Sequence, residues 1–173
     1  MRRRRLIRNR AIERNFADGA MINGQRLGYA ADMRYGLCRM SFNGCECIAV
    51  YNALVYLNDP QPLSEIAYCL ERYKMLFGIF GCNPYRTAKV LGMYGAAFER
   101  TEDISKDGAY ILNFWTGFPL LSTIHTVFCT VEADGITVYN RYGNCPEPRN
   151  FGSAIELLGN RKPIAAYRYC SEK

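Results

Sequence analysis

The chain has 173 residues, of which 49% are hydrophobic and 22% are charged. This length suits one globular domain, and the composition excludes an intrinsically disordered or fibrous chain. The formal net charge is +6, and six arginines without a single acidic residue lie within the first ten positions. The rest of the chain carries 16 basic and 16 acidic side chains and is formally neutral. A nucleic-acid-binding domain spreads its basic residues over a folded face, and this body lacks such an excess.

The first 35 residues form a basic arm that we expect to be partly ordered, with helix near Ile12 to Phe16. We expect no nucleic-acid binding, except through the arginines from Arg2 to Arg5. The run resembles the charged start of a signal peptide, but Arg10 and Glu13 interrupt the apolar stretch that should follow. No stretch of about 18 apolar residues follows anywhere, so we expect no membrane span. We therefore expect a cytoplasmic protein.

The eight cysteines are scattered through apolar segments, at positions 38, 45, 47, 69, 82, 129, 145 and 170. They lack the density of a small disulfide scaffold, which favours reduced thiols. A structural zinc needs convergent Cys and His ligands, whereas this chain offers one CxC pair and one histidine. We expect neither a metal nor another cofactor.

Three helices are predicted in the first half. Apolar residues recur between positions 48 and 57 with the spacing of a buried helix. This helix is predicted to end at Asn58-Asp59-Pro60. A second helix is predicted from Leu63 to Leu76, with Phe77 continuing its apolar face. A third begins where Asn83 is a good N-cap and Pro84 fits the first turn.

The second half is rich in β-branched and aromatic residues. Its short runs, separated by turn residues, predict antiparallel strands at residues 96–99, 109–114, 123–132, 136–141 and 164–169, with one helix at 153–158. Asp134-Gly135 indicates a hairpin between two of them. Helices followed by strands predict an α+β fold.

One group of residues points to nucleophilic catalysis. His125 is the only histidine and begins a predicted strand, and Cys45 lies at the predicted start of the first buried helix. The unpaired N–H groups of a helix N-terminus and a nearby imidazole both favour thiolate. Asn140, at the end of the next strand, could orient the imidazole through its side chain.

Two segments resemble the papain-like cysteine peptidases, Gly44 to Leu54 (GCECIAVYNAL) and His125 to Asn140 (HTVFCTVEADGITVYN). Within that family they are most similar to compact bacterial peptidases that process double-glycine leader peptides. The resemblance implies a papain-like catalytic domain over residues 36–173, with a helical half packed on an antiparallel sheet. It implies Cys45 as nucleophile, His125 as base and acid, Asn140 as the orienting residue, and a peptide or protein substrate.

Several assignments stay open. The family has a Gln several residues before the nucleophile. No Gln lies there in this chain, and Asn43 is the candidate oxyanion donor instead. Cys47 is the second choice of nucleophile. A two-residue turn at Asp134-Gly135 puts Asn144 rather than Asn140 opposite His125, unless a bulge shifts the register.

The aromatic side chains of Trp115 and Phe118 could line a substrate cleft. Two alternatives to peptide hydrolysis remain. The same triad could transfer the acyl group to an amine, as in transglutaminases and acyltransferases. A papain-like scaffold with a decayed triad would instead be a non-catalytic binding module.

Overall fold

Most helices precede most strands along the chain, which confirms the predicted α+β class. The computed structural model describes residues 1–14, 19–117, 123–159 and 161–170. Its helices are α1 (Arg2–Glu13), α2 (Met40–Asn43), α3 (Cys45–Tyr56), α4 (Leu63–Leu70), α5 (Thr87–Gly92) and α6 (Ala154–Leu158). Its strands are β1 (Arg34–Tyr35), β2 (Cys38–Arg39), β3 (Phe98–Thr101), β4 (Gly108–Thr116), β5 (Thr123–Glu132), β6 (Gly135–Tyr139), β7 (Arg149–Phe151) and β8 (Ala165–Tyr169).

The main sheet has six strands in the order β3-β8-β4-β5-β6-β7, and every neighbouring pair is antiparallel. Apolar side chains cover both of its faces. On one face, Ile111 and Phe128 belong to the buried cluster that also contains the apolar side of α3. On the other face, Leu112 and Val138 pack with Leu157 of α6. The helical half therefore packs on one face of the sheet, as expected.

The β5–β6 hairpin exists, but its register differs from the prediction. Glu132 pairs with Gly135, so the turn residues are Ala133 and Asp134 instead of Asp134 and Gly135. The glycine belongs to the strand because β7 passes close to it: a Cβ there would lie 2.6 Å from the Phe151 carbonyl oxygen. Cys129 therefore pairs with Val138.

The second predicted helix is shorter than expected. Helix α4 ends at Leu70, a 3₁₀ turn covers Glu71–Tyr73, and Phe77 is 68% exposed. Leu76 and Phe77 have positive φ values of 43° and 58°, which no helix accommodates. The segment is fixed by long-range contacts instead, since the Leu37 N–H donates to the Phe77 carbonyl (3.0 Å).

The third predicted helix begins as expected. The Asn83 side chain accepts from the Tyr85 N–H, a 3₁₀ turn covers Pro84–Arg86, and α5 follows. The side chain of Ser153 caps α6 in the same way, accepting from the Glu156 N–H.

The basic arm contains a helix that lies earlier than expected, because α1 spans Arg2–Glu13 and Phe16 lies outside the described residues. One side of α1 is bound to the body. Arg5 forms an ion pair with buried Glu71, and Asn9 exchanges two hydrogen bonds with the backbone of Arg34. Two of the four arginines in the Arg2 to Arg5 run are thus engaged with the body, since Arg2 also donates to the Tyr68 carbonyl.

No described helix is both long and apolar enough to cross a bilayer. Within the same residues, no three His, Cys, Asp or Glu side chains cluster in a way that could hold a metal ion.

Candidate active site

A cleft of about 1410 Å³ opens where the N-terminus of α3 meets the beginning of β5. Cys45 and His125 both line it, so the fold brings together two side chains that are 80 positions apart in the chain. Trp115 also lines this cleft, whereas Phe118 lies outside the described residues.

Cys45 is the first residue of α3 and is 9% exposed. Gly44 permits the sharp junction between α2 and α3, because a Cβ at this position would lie 2.6 to 2.9 Å from three atoms of Met40. The first N–H groups of a helix have no intrahelical partner, so the backbone N–H of Cys45 is available at the cleft.

The Cys45 thiol is held at the edge of β5. It accepts hydrogen bonds from the backbone N–H groups of Thr126, the residue after His125, and of Glu46. Burial raises the pKa of Cys45 above its ordinary value and outweighs these hydrogen bonds, and the neighbouring Glu46 raises it further. The resting sulfur is therefore a neutral thiol, contrary to the thiolate expected from its place at a helix N-terminus.

Cys47 lies in the core and not in the cleft. It is 1% exposed and packs within the apolar cluster beneath α3. Burial raises the pKa of its thiol well above the ordinary value. Of the two candidate nucleophiles, only Cys45 reaches the cleft wall.

The ring of His125 is oriented by a backbone carbonyl. Its Nε2 lies 2.8 Å from the carbonyl oxygen of Asn140. A carbonyl can only accept, so Nε2 carries the proton and the neutral imidazole keeps a lone pair on Nδ1. Burial lowers the pKa of His125, and the positive charge of Arg141 lowers it further, so the ring is neutral at pH 7. Among the described residues, no hydrogen bond joins Cys45 directly to His125.

Asn140 therefore orients His125, but through its main chain and not through its side chain. Strand β6 ends at Tyr139, and Asn140 takes a left-handed conformation with φ 58° that turns its carbonyl toward the ring. Its side chain faces the N-terminal half instead. There it accepts from the Gln25 backbone N–H (2.9 Å) and donates to the Gln25 Oε1 (3.4 Å).

Asn140→Gly keeps both the positive φ and the carbonyl, so we expect it to preserve the Nε2–H tautomer of His125. Asn140→Val should disturb the tautomer, because a β-branched residue disfavours this backbone conformation. ¹⁵N NMR of the imidazole at pH 8 measures the tautomer, and no assignment is needed because His125 is the only histidine.

Asn144→Ala is the control for this experiment, because that residue is exposed and should leave the tautomer unchanged. Two results would contradict orientation by the Asn140 carbonyl. One is an Nδ1–H tautomer in the wild-type protein, and the other is loss of the Nε2–H tautomer in Asn140→Gly, which would assign the orienting role to the side chain of Asn140.

Two other candidates lie in the cleft without the expected contacts. Asn144, the alternative orienting residue, lines the cleft but does not contact His125 in the described structure. Asn43, the candidate oxyanion donor, directs its amide nitrogen to the carbonyls of Tyr35 and Gly78. Both N–H groups of Asn43 are thereby used, which leaves no donor for an oxyanion.

Gln25 is a cleft residue that the sequence did not single out. It is 8% exposed, and its Nε2 donates one hydrogen bond to the Ser41 carbonyl (3.2 Å), which leaves a second N–H. It lies 20 positions before Cys45, and long-range hydrogen bonds to Asn140 and Ser41 hold it at the site. The turn-forming pair Asn23-Gly24 lies directly before it in the sequence.

Glu46 places a buried carboxyl group beside Cys45. It is 3% exposed, and the hydroxyls of Thr87 and Thr126 donate to it. Burial raises the pKa of Glu46 to about 7, partly offset by these hydrogen bonds. A carboxyl group that changes charge near neutral pH therefore adjoins Cys45.

Comparisons with models of protein families, with curated proteins and with solved structures found no match for this chain. The functional assignment therefore depends on the residues of the cleft.

Proposed function

We propose that the chain is a papain-like cysteine peptidase that hydrolyses peptide bonds through Cys45 and His125 without a cofactor. The observation that carries this proposal is the meeting, in one cleft, of a thiol at a helix N-terminus and a neutral imidazole with a free Nδ1 lone pair. These are the nucleophile and the base that acyl transfer requires.

The proposed reaction begins from neutral groups. As the Cys45 sulfur attacks the carbonyl carbon of the substrate, its proton passes to Nδ1 of His125. The imidazolium then donates this proton to the leaving amine, which leaves a thioester on Cys45. Water, deprotonated by His125, attacks the thioester, and the thiol is restored.

The proposed oxyanion site has two donors. The backbone N–H of Cys45 is one, and the second N–H of Gln25 Nε2 is the other. Gln25 would then supply the amide group that the sequence lacks at the position expected from the family.

Acylation by an activated ester tests the proposal. We expect a peptidyl p-nitrophenyl ester to release one equivalent of p-nitrophenol rapidly and to leave an acid-stable thioester on Cys45, located by peptide mapping. Cys45→Ala should lose this adduct, whereas Cys47→Ala, the matched control, should keep it. Acylation of several cysteines at equal, slow rates would contradict the proposal.

A non-catalytic binding module is the second candidate, because the resting thiol and imidazole are both neutral and no hydrogen bond joins them within the described residues. Absence of any Cys45 adduct, with peptide binding retained, would favour it. If the adduct forms, adding a primary amine separates hydrolysis from acyl transfer, because a transferase would convert the adduct to an amide faster than to an acid.

A further inference from the structure

Three arginines line the cleft around the beginning of β5, namely Arg26, Arg141 and Arg161. The only acidic residue among the described lining residues is Glu46, and it is buried and hydrogen-bonded to two threonines. The cleft is therefore cationic, although the body of the chain is formally neutral.

The cleft arginines have no carboxylate partners within the described residues. The ion pairs found there involve other parts of the molecule, mainly α1 and the loop before β4. Arg161 donates weakly, at 3.4 Å, to the carbonyls of Trp115 and Gly117. Arg26 is exposed and lies against Gly143.

Arg141 is the arginine closest to the proposed chemistry. Its guanidinium carbon lies 5.1 Å from the ring centre of Phe114 and 5.0 Å from that of Tyr142. The Phe114 ring in turn meets the His125 ring edge-on, with centres 6.0 Å apart. Arg141 also follows Asn140 directly, whose carbonyl holds the imidazole.

The guanidinium of Arg141 is held in place but incompletely satisfied. Its Nε is buried and has no hydrogen-bond partner. Two aromatic rings within about 5 Å restrict the position of the guanidinium, and no hydrogen bond from its N–H groups is found within the described residues. A guanidinium with unpaired N–H groups can bind a carboxylate with two hydrogen bonds. Its burial and its missing counter-ion both favour an anionic ligand.

We propose that Arg141 binds a carboxylate of the substrate on the leaving-group side of the scissile bond, so that the cleft selects peptides with a carboxylate there. This proposal depends on the proposed function for its orientation: His125 protonates the leaving amine, and Arg141 lies on the His125 side of the cleft. An acidic side chain or the terminal carboxylate of a short peptide would satisfy the same guanidinium.

Binding is measured first, with Cys45→Ala, so that turnover does not interfere. Three fluorescein-labelled peptides of otherwise identical sequence are compared by anisotropy: one with Glu and an amidated C-terminus, one with Gln and an amidated C-terminus, and one with Gln and a free C-terminus. We expect the Glu peptide to bind about tenfold more tightly than the amidated Gln peptide. Tight binding of the free-acid peptide alone would assign the site to a terminal carboxylate.

Arg141→Gln in the Cys45→Ala background should reduce the preference for the carboxylate to twofold or less. Arg141→Lys should restore part of it, because charge is kept while the paired hydrogen bonds are lost. Arg8→Gln, which removes an exposed charge on α1, is the matched control and should change nothing. Equal binding of the three peptides, or a preference unaffected by Arg141→Gln, would overturn the proposal.

Turnover then tests the orientation. Wild-type protein is given peptides with Glu at successive positions, and the products are identified by mass spectrometry. We expect the carboxylate in the C-terminal product. Cleavage without any preference for a carboxylate would support the peptidase proposal and refute the carboxylate site at Arg141. Carboxylate-dependent binding without cleavage would support the carboxylate site and refute the peptidase proposal.

Discussion

His125→Ala is expected to lower the rate of Cys45 acylation by a factor of about 10² to 10⁴, the usual contribution of a general base. The effect should be large because burial raises the pKa of Cys45, so that the sulfur depends on His125 to remove its proton during attack. The rate of p-nitrophenol release in the first turnover measures it.

The pH profile of acylation provides a second readout of the same residue. Burial and the charge of Arg141 lower the pKa of His125 below its ordinary value of 6.5. Activity should therefore persist below pH 6.5 and be lost only as the imidazole becomes protonated at lower pH. Arg141→Gln should move this acid limb upward, because it removes one of the two causes of the lowered pKa.

Asn144→Ala is the control, since Asn144 lines the cleft without contacting His125 in the described structure. An acid limb above pH 6.5, or full acylation activity in His125→Ala, would show that His125 is not the base.

The sequence predicted the elements of this fold better than their connections. Apolar periodicity located α3 and the strands β4, β5 and β8, because burial of a repeating face is a local property that the residue order records. It overextended α4, because the positive φ values of Leu76 and Phe77 follow from contacts with residues near Gly36.

The hairpin shows a similar limit. The sequence predicts Gly135 as a turn residue. In the structure, glycine is needed there because the β7 backbone lies too close for a Cβ. A strand 14 or more positions later thus determines the register, and no rule based on the turn sequence contains that information.

The candidate site was partly readable from the sequence. Cys45 and His125 could be identified from their places at the beginning of a helix and of a strand, and both line the cleft. The role of Asn140 changed from a side-chain to a main-chain contact, and Gln25 was missed. Both depend on the loop after α1, which reaches the sheet only through tertiary contacts.

The cleft residues share one electrostatic feature. Burial shifts the pKa values of Cys45, Glu46 and His125 each toward the neutral form. A site built this way carries little charge at rest, apart from its arginines. In the proposed reaction it would form its ion pair only as the substrate reacts. Glu46 contributes most directly, since its carboxylate would oppose a thiolate on the adjacent Cys45.

Glu46→Gln is expected to abolish a large pH dependence of stability. The folded pKa of Glu46 is about 7, against 4.5 for the free side chain. Between these values the folded state keeps the proton and the unfolded state releases it, so the free energy of unfolding falls as pH rises from about 4.5 to 7. At 1.36 kcal/mol per pH unit the loss is about 3 kcal/mol.

The free energy of unfolding in urea, measured at pH 5 and pH 8 for the wild-type protein and Glu46→Gln, tests this expectation. The stability of the variant relative to wild type should increase by about 2.5 kcal/mol between the two pH values, with most of the gain below pH 7. The difference isolates Glu46, because His125, whose folded pKa is lowered, makes stability rise with pH in both proteins. Glu99→Gln, on the exposed side of β3, is the control, and its free energy of unfolding should change with pH as that of the wild type does. If the free energy of unfolding of Glu46→Gln instead changes with pH as in wild type, then Glu46 is ionised in the folded protein at pH 5, and a buried carboxylate adjoins Cys45 throughout the neutral range.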